Sequence, residues 1–263
     1  MSSFKKTYDF SISTYCQAKC PSCPRQVPIY PKPFFRKIRN SNLQVIGSEE
    51  HNKTLPDGTE SKYKIIDTRQ YLNPKFSQKY MDLNIFKNIL SRDKDEFKKT
   101  QIVFCGEFGD PMMHPQIEEF IDAVNNSSCD QLLIHTNGGI KKPDFYKNIT
   151  KYKKLTIQFA IDGVTPISNN EYRVNVDTNL AFQNMITFTE HSYDRTSWHF
   201  LVFKHNYHEV PEVFKLAKTH NINAGRIKIN QRDFSKLGPN DKILFERMIK
   251  KLKKPKGWKI DSL

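Results

Sequence analysis

The chain has 263 residues, 37% of them hydrophobic and 12% aromatic, which suffices for a buried core and excludes the composition of a disordered segment. Its formal net charge is +14, with 42 basic residues against 28 acidic ones. Only 10 of the basic residues are Arg, and the 32 Lys are spread along the whole length, so the charge reads as a solvated surface more than as a nucleic-acid reader, with a phosphate-rich partner left open.

YDFSIST (8 to 14) alternates apolar and polar residues and predicts a first strand. It runs into CQAKCPSCPR (16 to 25), in which three cysteines are spaced C-x3-C-x2-C. Residues 26 to 80 are too long for an ordinary connection, which leaves a functional lid or a mobile insertion. Within them PFFRKIR (33 to 39) suits lid packing, or the clamping of a single-stranded nucleic acid. Leu83, Phe86, Ile89 and Leu90 then mark a helix. TQIVFCG (100 to 106) predicts the second strand, and Ile117, Phe120, Ile121 and Val124 the helix after it. Further strands follow at 131 to 137, 155 to 162, 198 to 204 and 225 to 230, with a helix on Val210, Val213, Phe214 and Ala217. The chain ends with an amphipathic stretch through Leu244, Phe245, Met248, Ile249 and Leu252, and a basic tail, KKLKKPKGWK.

Strands alternating with helices imply an α/β fold with a parallel sheet and right-handed crossovers; six such units make a partial (β/α)6, TIM-like barrel. With no internal repeat and no break in composition, one domain is expected over 1 to 263: a core from about 8 to 233, the insertion at 26 to 80, and a C-terminal helix and basic tail (234 to 263). That helix is expected to close an open edge or end, its lysines in solvent. Sites in such folds lie at the carboxyl ends of strands. The cysteines, GEFGDP, TNGG, IDG, KHN and Asn230 all fall on that rim.

No run of 18 apolar residues and no apolar stretch of signal-peptide length at the start occur, so no membrane association and a cytoplasmic location are expected. In a reducing compartment five Cys, three of them within eight residues, argue for metal or catalysis over disulfides. Zinc would need a fourth ligand, such as one of the eight His. A 4Fe-4S cluster held by three thiolates would keep one iron open for a small molecule.

The sequence resembles the radical SAM superfamily from about residue 8 to residue 230, and most of all its SPASM and twitch branch. The resemblance rests on C-x3-C-x2-C after the first strand with its CPR continuation, FCGEFGDPMMHP, HTNGG, FAIDGVTPISNNEYR and VFKHNYHEV, in that order. It implies an enzyme that binds one 4Fe-4S cluster through Cys16, Cys20 and Cys23, takes an electron from an external donor, cleaves S-adenosylmethionine reductively, and uses the 5'-deoxyadenosyl radical to abstract a substrate hydrogen. It further implies that Gly109 and Asp110 meet the methionyl ammonium, with Glu107 as the alternative. Asn137 and Asp162 are then candidates for the ribose hydroxyls, Arg173 for the methionyl carboxylate, and Lys204, His205 and Asn230 for positions facing cofactor or substrate. Gly/Asp and Asn-Gly turns serve structure as readily as they bind ligands.

Two features depart from the branch. Ser22 stands where an aromatic residue often precedes the third Cys, so another side chain must cover the adenine. No Cys follows Asn230, so auxiliary clusters are not expected; Cys105 reads as a buried core thiol and Cys129 as a loop residue. The substrate implied by the motif variants is a peptide or protein. A nucleic-acid (RNA) modifying enzyme is the alternative, and a non-catalytic zinc or iron-sulfur binding module is the reading from another class.

Overall fold

The computed structural model describes residues 6–21, 23, 25, 49–54, 60–65, 77–92, 94–230 and 238–261. Ser22, Pro24, PFFRKIR and most of the lid segment lie outside them. The strands are β1 (Lys6–Phe10), β2 (Glu49–Thr54), β3 (Glu60–Ile65), β4 (Thr100–Phe104), β5 (Gln131–Thr136), β6 (Leu155–Ala160), β7 (Thr196–Val202), β8 (Gly225–Ile229) and β9 (Trp258–Ile260). The helices are α1 (Leu83–Arg92), α2 (Ile117–Asn125), α3 (Pro143–Ile149), α4 (Pro166–Tyr172), α5 (Thr178–Ser192), α6 (Val210–Thr219) and α7 (Pro239–Lys251).

Seven strands form one sheet in the order β1-β4-β5-β6-β7-β8-β9, every pair parallel, as the alternation of strands and helices predicts. All carboxyl ends therefore share one edge. β2 and β3 form a separate antiparallel pair within the insertion.

Period-two alternation sorts the side chains. Phe104, Ile134, Phe159, Trp198, Phe200 and Ile227 are buried on the helix side, where Phe120, Tyr146, Phe188 and Phe214 meet them. Helix starts carry local signals. Asp177 caps α5 by accepting from the Leu180 amide at 3.0 Å, and Thr165 with Ser168 makes a reciprocal capping box at α4.

Two boundaries differ from the expectation. The first strand stops at Phe10 instead of residue 14 because the next residues change partner: the Thr14 amide donates to the Lys79 carbonyl at 3.0 Å, and Met81 to Ile12 at 2.9 Å. The end of the insertion thus runs beside the cysteine loop. At the other end, α7, the helix expected to close an open edge or end, leads into a seventh strand, β9, which adds to the sheet edge beside β8. The lysines around β9 are exposed as expected, but Trp258 is 2% exposed, packs on Trp198 and Phe214, and donates its indole N–H to the Ile222 carbonyl at 2.9 Å. Gly225 makes room for it, since a Cβ there would lie 2.6 Å from the indole.

Candidate cofactor site

The cysteine loop is clamped from three directions. The Asp110 amide donates to the Tyr15 carbonyl at 2.7 Å, the Lys19 amide to Val174 at 2.9 Å, and the Asn175 side chain to the Gln17 carbonyl at 2.9 Å. The loop after β4 lies against the loop after β1 so closely that a Cβ on Gly109 would sit 2.2 Å from the Ser13 carbonyl oxygen. Gly109 thus permits a close approach of backbone to backbone. Arg25 is 2% exposed and donates Nη2 to the Cys16 carbonyl at 2.9 Å, and its buried Nε has no partner among the described residues.

At the ends of β4 and β5, Asp110 and Asn137 meet. Oδ2 of Asp110 accepts from the Thr136 hydroxyl (3.0 Å), the Asn137 amide (2.8 Å) and the Asn137 side chain (2.7 Å), while Oδ1 accepts from the Met112 amide at 3.0 Å. Asp110 is 3% exposed, and burial pushes its carboxyl up from the ordinary value, against the pull of those donors. The Asn137 side chain also reaches Cys16 Sγ at 3.5 Å and accepts from Gln17 Nε2 at 2.7 Å. Asn137 therefore touches the cysteine loop.

At the end of β6 stands a second buried acid. Asp162 accepts from Arg173 Nε at 2.6 Å and from the Leu201 amide at 2.7 Å. Its own amide donates to Asn169 and its carbonyl accepts from Asn206. Both carboxylate oxygens are thus engaged by protein. Burial would lower the Arg173 pKa, but Asp162 and Cys20 more than reverse that and hold it charged. Arg173 lies against Cys20 as well as Asp162.

The three cysteines are free thiols, Cys20 buried and the others half-buried. Burial pushes the Cys16 thiol up to about 12, and the Asp110 carboxylate adds to that; burial raises Cys20 too, with Arg173 opposing. Among the described residues no three His, Cys, Asp or Glu side chains converge as metal ligands. The donor set nevertheless fits a three-thiolate cluster by its chemistry: three unoxidised Cys on one loop, a guanidinium beside Cys20, an amide on Cys16, and the unpartnered Nε of Arg25 next to them.

The remaining predicted residues scatter more widely. Glu107 is exposed, and among the described residues its carboxylate accepts no hydrogen bond. His205 stacks on Phe203 and meets the Ser168 carbonyl at 3.2 Å, Lys204 is exposed, and the Asn230 amide pairs with Val202. Cys105, expected as a buried core thiol, lies just past β4, half-buried, and accepts from the Glu107 amide at 3.3 Å; Cys129 lies in a loop as expected and is 1% exposed. Gln17 and Thr136 were not singled out in the sequence. They carry no spacing signal of their own, and only the meeting of two loops gives them partners. Tyr172, packed on Phe203 at 4.4 Å and close to Cys20 and Cys23, is an aromatic that Ser22 cannot supply.

Neither a family model nor a curated protein sequence matches the chain. Solved structures do. The chain is similar in fold to SuiB of Streptococcus suis bound to its precursor peptide SuiA, with a TM-score of 0.60 and 13% identity over 100% of this chain and 50% of that one. It is similar to anSMEcpe with bound AdoMet (0.53, 14% identity, 85% and 49%) and to HydG, a maturase of the FeFe hydrogenase (0.54, 8%, 97% and 56%). The chain spans about half the length of these proteins, which are radical SAM enzymes. At such identities the likeness establishes the fold, a partial barrel of parallel strands. Among the described residues no helix is long and apolar enough to cross a membrane.

Proposed function

We propose that the chain is a radical SAM enzyme that binds one 4Fe-4S cluster through Cys16, Cys20 and Cys23 and acts on a peptide or protein. The observation that carries this reading is the meeting of residues distant in sequence at the cysteine loop: Asn137, at the carboxyl end of β5, on Cys16 Sγ at 3.5 Å, and Arg173, at the end of α4 and tied to Asp162 at the end of β6, against Cys20. Similar folds hold AdoMet in anSMEcpe and a precursor peptide in SuiB. When bound, such a cluster supplies the electron that cleaves S-adenosylmethionine to a 5'-deoxyadenosyl radical.

The protein's own residues bind, orient and shield. Arg173, fixed by Asp162, offers its remaining N–H groups to the methionyl carboxylate. Glu107 and backbone carbonyls of the GEFGDP loop take the methionyl ammonium, because Asp110 is already committed to four protein donors. Asp110 then acts by holding Asn137 and the 111–113 turn in place. Asn137 keeps an amide on Cys16, and Tyr172 covers the adenine. An external donor supplies the electron.

The test is anaerobic reconstitution with iron and sulfide, followed by iron content and 5'-deoxyadenosine formation with S-adenosylmethionine and a strong reductant. About four irons per chain, and nucleoside that a Cys16, Cys20, Cys23 triple Ala variant does not form, are expected. Tightly held zinc with no nucleoside would overturn the enzyme and leave a metal-binding module.

A further inference from the structure

In a closed barrel the inward side chains form packed apolar layers. Here the face of the sheet turned away from the helices is partly open and carries polar side chains among the apolar Val103, Leu133, Ala160 and Leu201. Strand alternation puts Asp9, His135, Gln158, His199, Arg226 and Lys228 on it, while their neighbours in sequence are buried against helices or carry the opposite orientation. The register aligns His135 with Gln158, His199 with Arg226, and Leu201 with Lys228. At the lower end of the face the polar groups satisfy one another: Gln101 donates to Gln131 at 2.6 Å and Gln131 to Thr156 at 2.8 Å. Nearer the rim they do not. Among the described residues the side chains of His135, Gln158, His199 and Lys228 make no hydrogen bond.

The charged groups on this face act on one another. His199 feels His135, Arg226, Lys228 and Asp261, and His135 feels Asp9. Arg226 is tied to Asp261 at 2.7 Å; Lys228 is exposed. Burial, followed by the neighbouring His135, Arg226 and Lys228, pushes His199 down to about 4, against the pull of Asp261. His135 is two residues before Asn137, about 7 Å along the strand, so this face lies beneath the cysteine loop.

The geometry points to a carboxylate-binding site on this inner face, in which Lys228 and Arg226 take the side-chain or C-terminal carboxylate of a peptide substrate and His135, Gln158 and His199 complete its hydrogen bonds. This rests on the function proposed above and names the chemistry of the substrate. One acid, Asp261, stands beside the cations, on Arg226 at 2.7 Å, which suits a single carboxylate and opposes a string of phosphates. A carboxylate anchored there would leave a nearby C–H of the same peptide facing the cofactor loop.

The test is binding to the whole chain, without turnover. A blocked Gly-Glu-Gly tripeptide, its Gly-Gln-Gly isostere and a hexauridylate RNA would be titrated by calorimetry and by NMR of labelled histidine rings. The Glu peptide is expected to shift His135 and His199 and to bind about tenfold more tightly than the Gln isostere, with Lys228→Met abolishing the preference. Lys228 is exposed, so the variant keeps its fold, which a thermal melt checks. Equal binding of the two peptides, or a preference that survives Lys228→Met, overturns the site. RNA that shifts these rings where the Glu peptide does not overturns the carboxylate assignment in favour of phosphate. Absence of S-adenosylmethionine cleavage alongside an intact Glu preference would sink the proposed enzyme and leave this site standing.

Discussion

Two buried acids sit on the same rim, beyond the ends of β4 and β6, each within reach of the cysteine loop, and they are neutralised in opposite ways. Asp110 is surrounded by uncharged donors: two backbone amides, a hydroxyl and a carboxamide. Asp162 faces a guanidinium at 2.6 Å and one backbone amide. The first arrangement fixes backbone, because its donors are the turn and strand end themselves. The second fixes a charge, because Arg173 is held rigid beside Cys20. One corner builds the loop, and the other sets its electrostatics.

Arg173→Met should break this contrast most severely. It leaves Asp162 buried with one donor, a loss of about 3–5 kcal/mol in urea unfolding, and adding Asp162→Asn should restore part of it. A single-variant cost near zero would mean that the pair is not desolvated. Asp110→Asn removes no ion pair and exchanges one acceptor oxygen for a donor among donors, for a loss of about 2 kcal/mol. The two corners should also part in acid. The Asp110 carboxyl is raised by burial, so its contribution is full below the unfolded value near 3.8 and is lost as pH rises through the folded value. The deficit of Asp110→Asn against the unaltered chain should therefore be widest in acid and shrink towards neutrality; a deficit that grows with pH would refute the raised carboxyl.

His199, on the inner face away from both corners, sharpens the comparison as a base with the reverse sign. Its pKa is depressed from 6.5 to about 4, so the stability it confers is present above 6.5 and lost as pH falls towards 4. Across that window the unaltered chain should lose about 2 kcal/mol more than His199→Gln, the figure being reduced for partial exposure. Identical pH profiles would show that the ring titrates normally. The smallest effect is expected at the exposed pair Lys215–Glu212, 3.2 Å apart on α6, where Lys215→Ala should leave the melting temperature unchanged.

The strand–helix alternation was legible because its periodicities are local: Ile117, Phe120, Ile121 and Val124 recur at helical spacing and are all buried as that spacing predicts. β9 was not legible, since three residues between lysines carry no period, and only Trp198 and Phe214 on other elements make Trp258 a core residue. The site divides in the same way. Cys16, Cys20 and Cys23 announce themselves by spacing, as do the glycines and acids of the rim turns. Asp162 and Arg173 were separate candidates for ribose and carboxylate, and the structure makes them one ion pair. Asp110, read as the acceptor for an ammonium, has its carboxylate engaged by four protein donors. Its replacement is therefore a test of folding before it is a test of chemistry.

The sequence alone determined the parallel α/β plan, the placement of chemistry on the carboxyl rim and the three-thiol loop, because each depends on residue types within a few positions of one another. Tertiary structure alone decided which rim residues meet, which acid is spent on structure, and that His135, His199, Arg226 and Lys228 share one face. Those outcomes depend on register between strands far apart in the chain, and a partner's identity is set by that register and not by spacing along the chain.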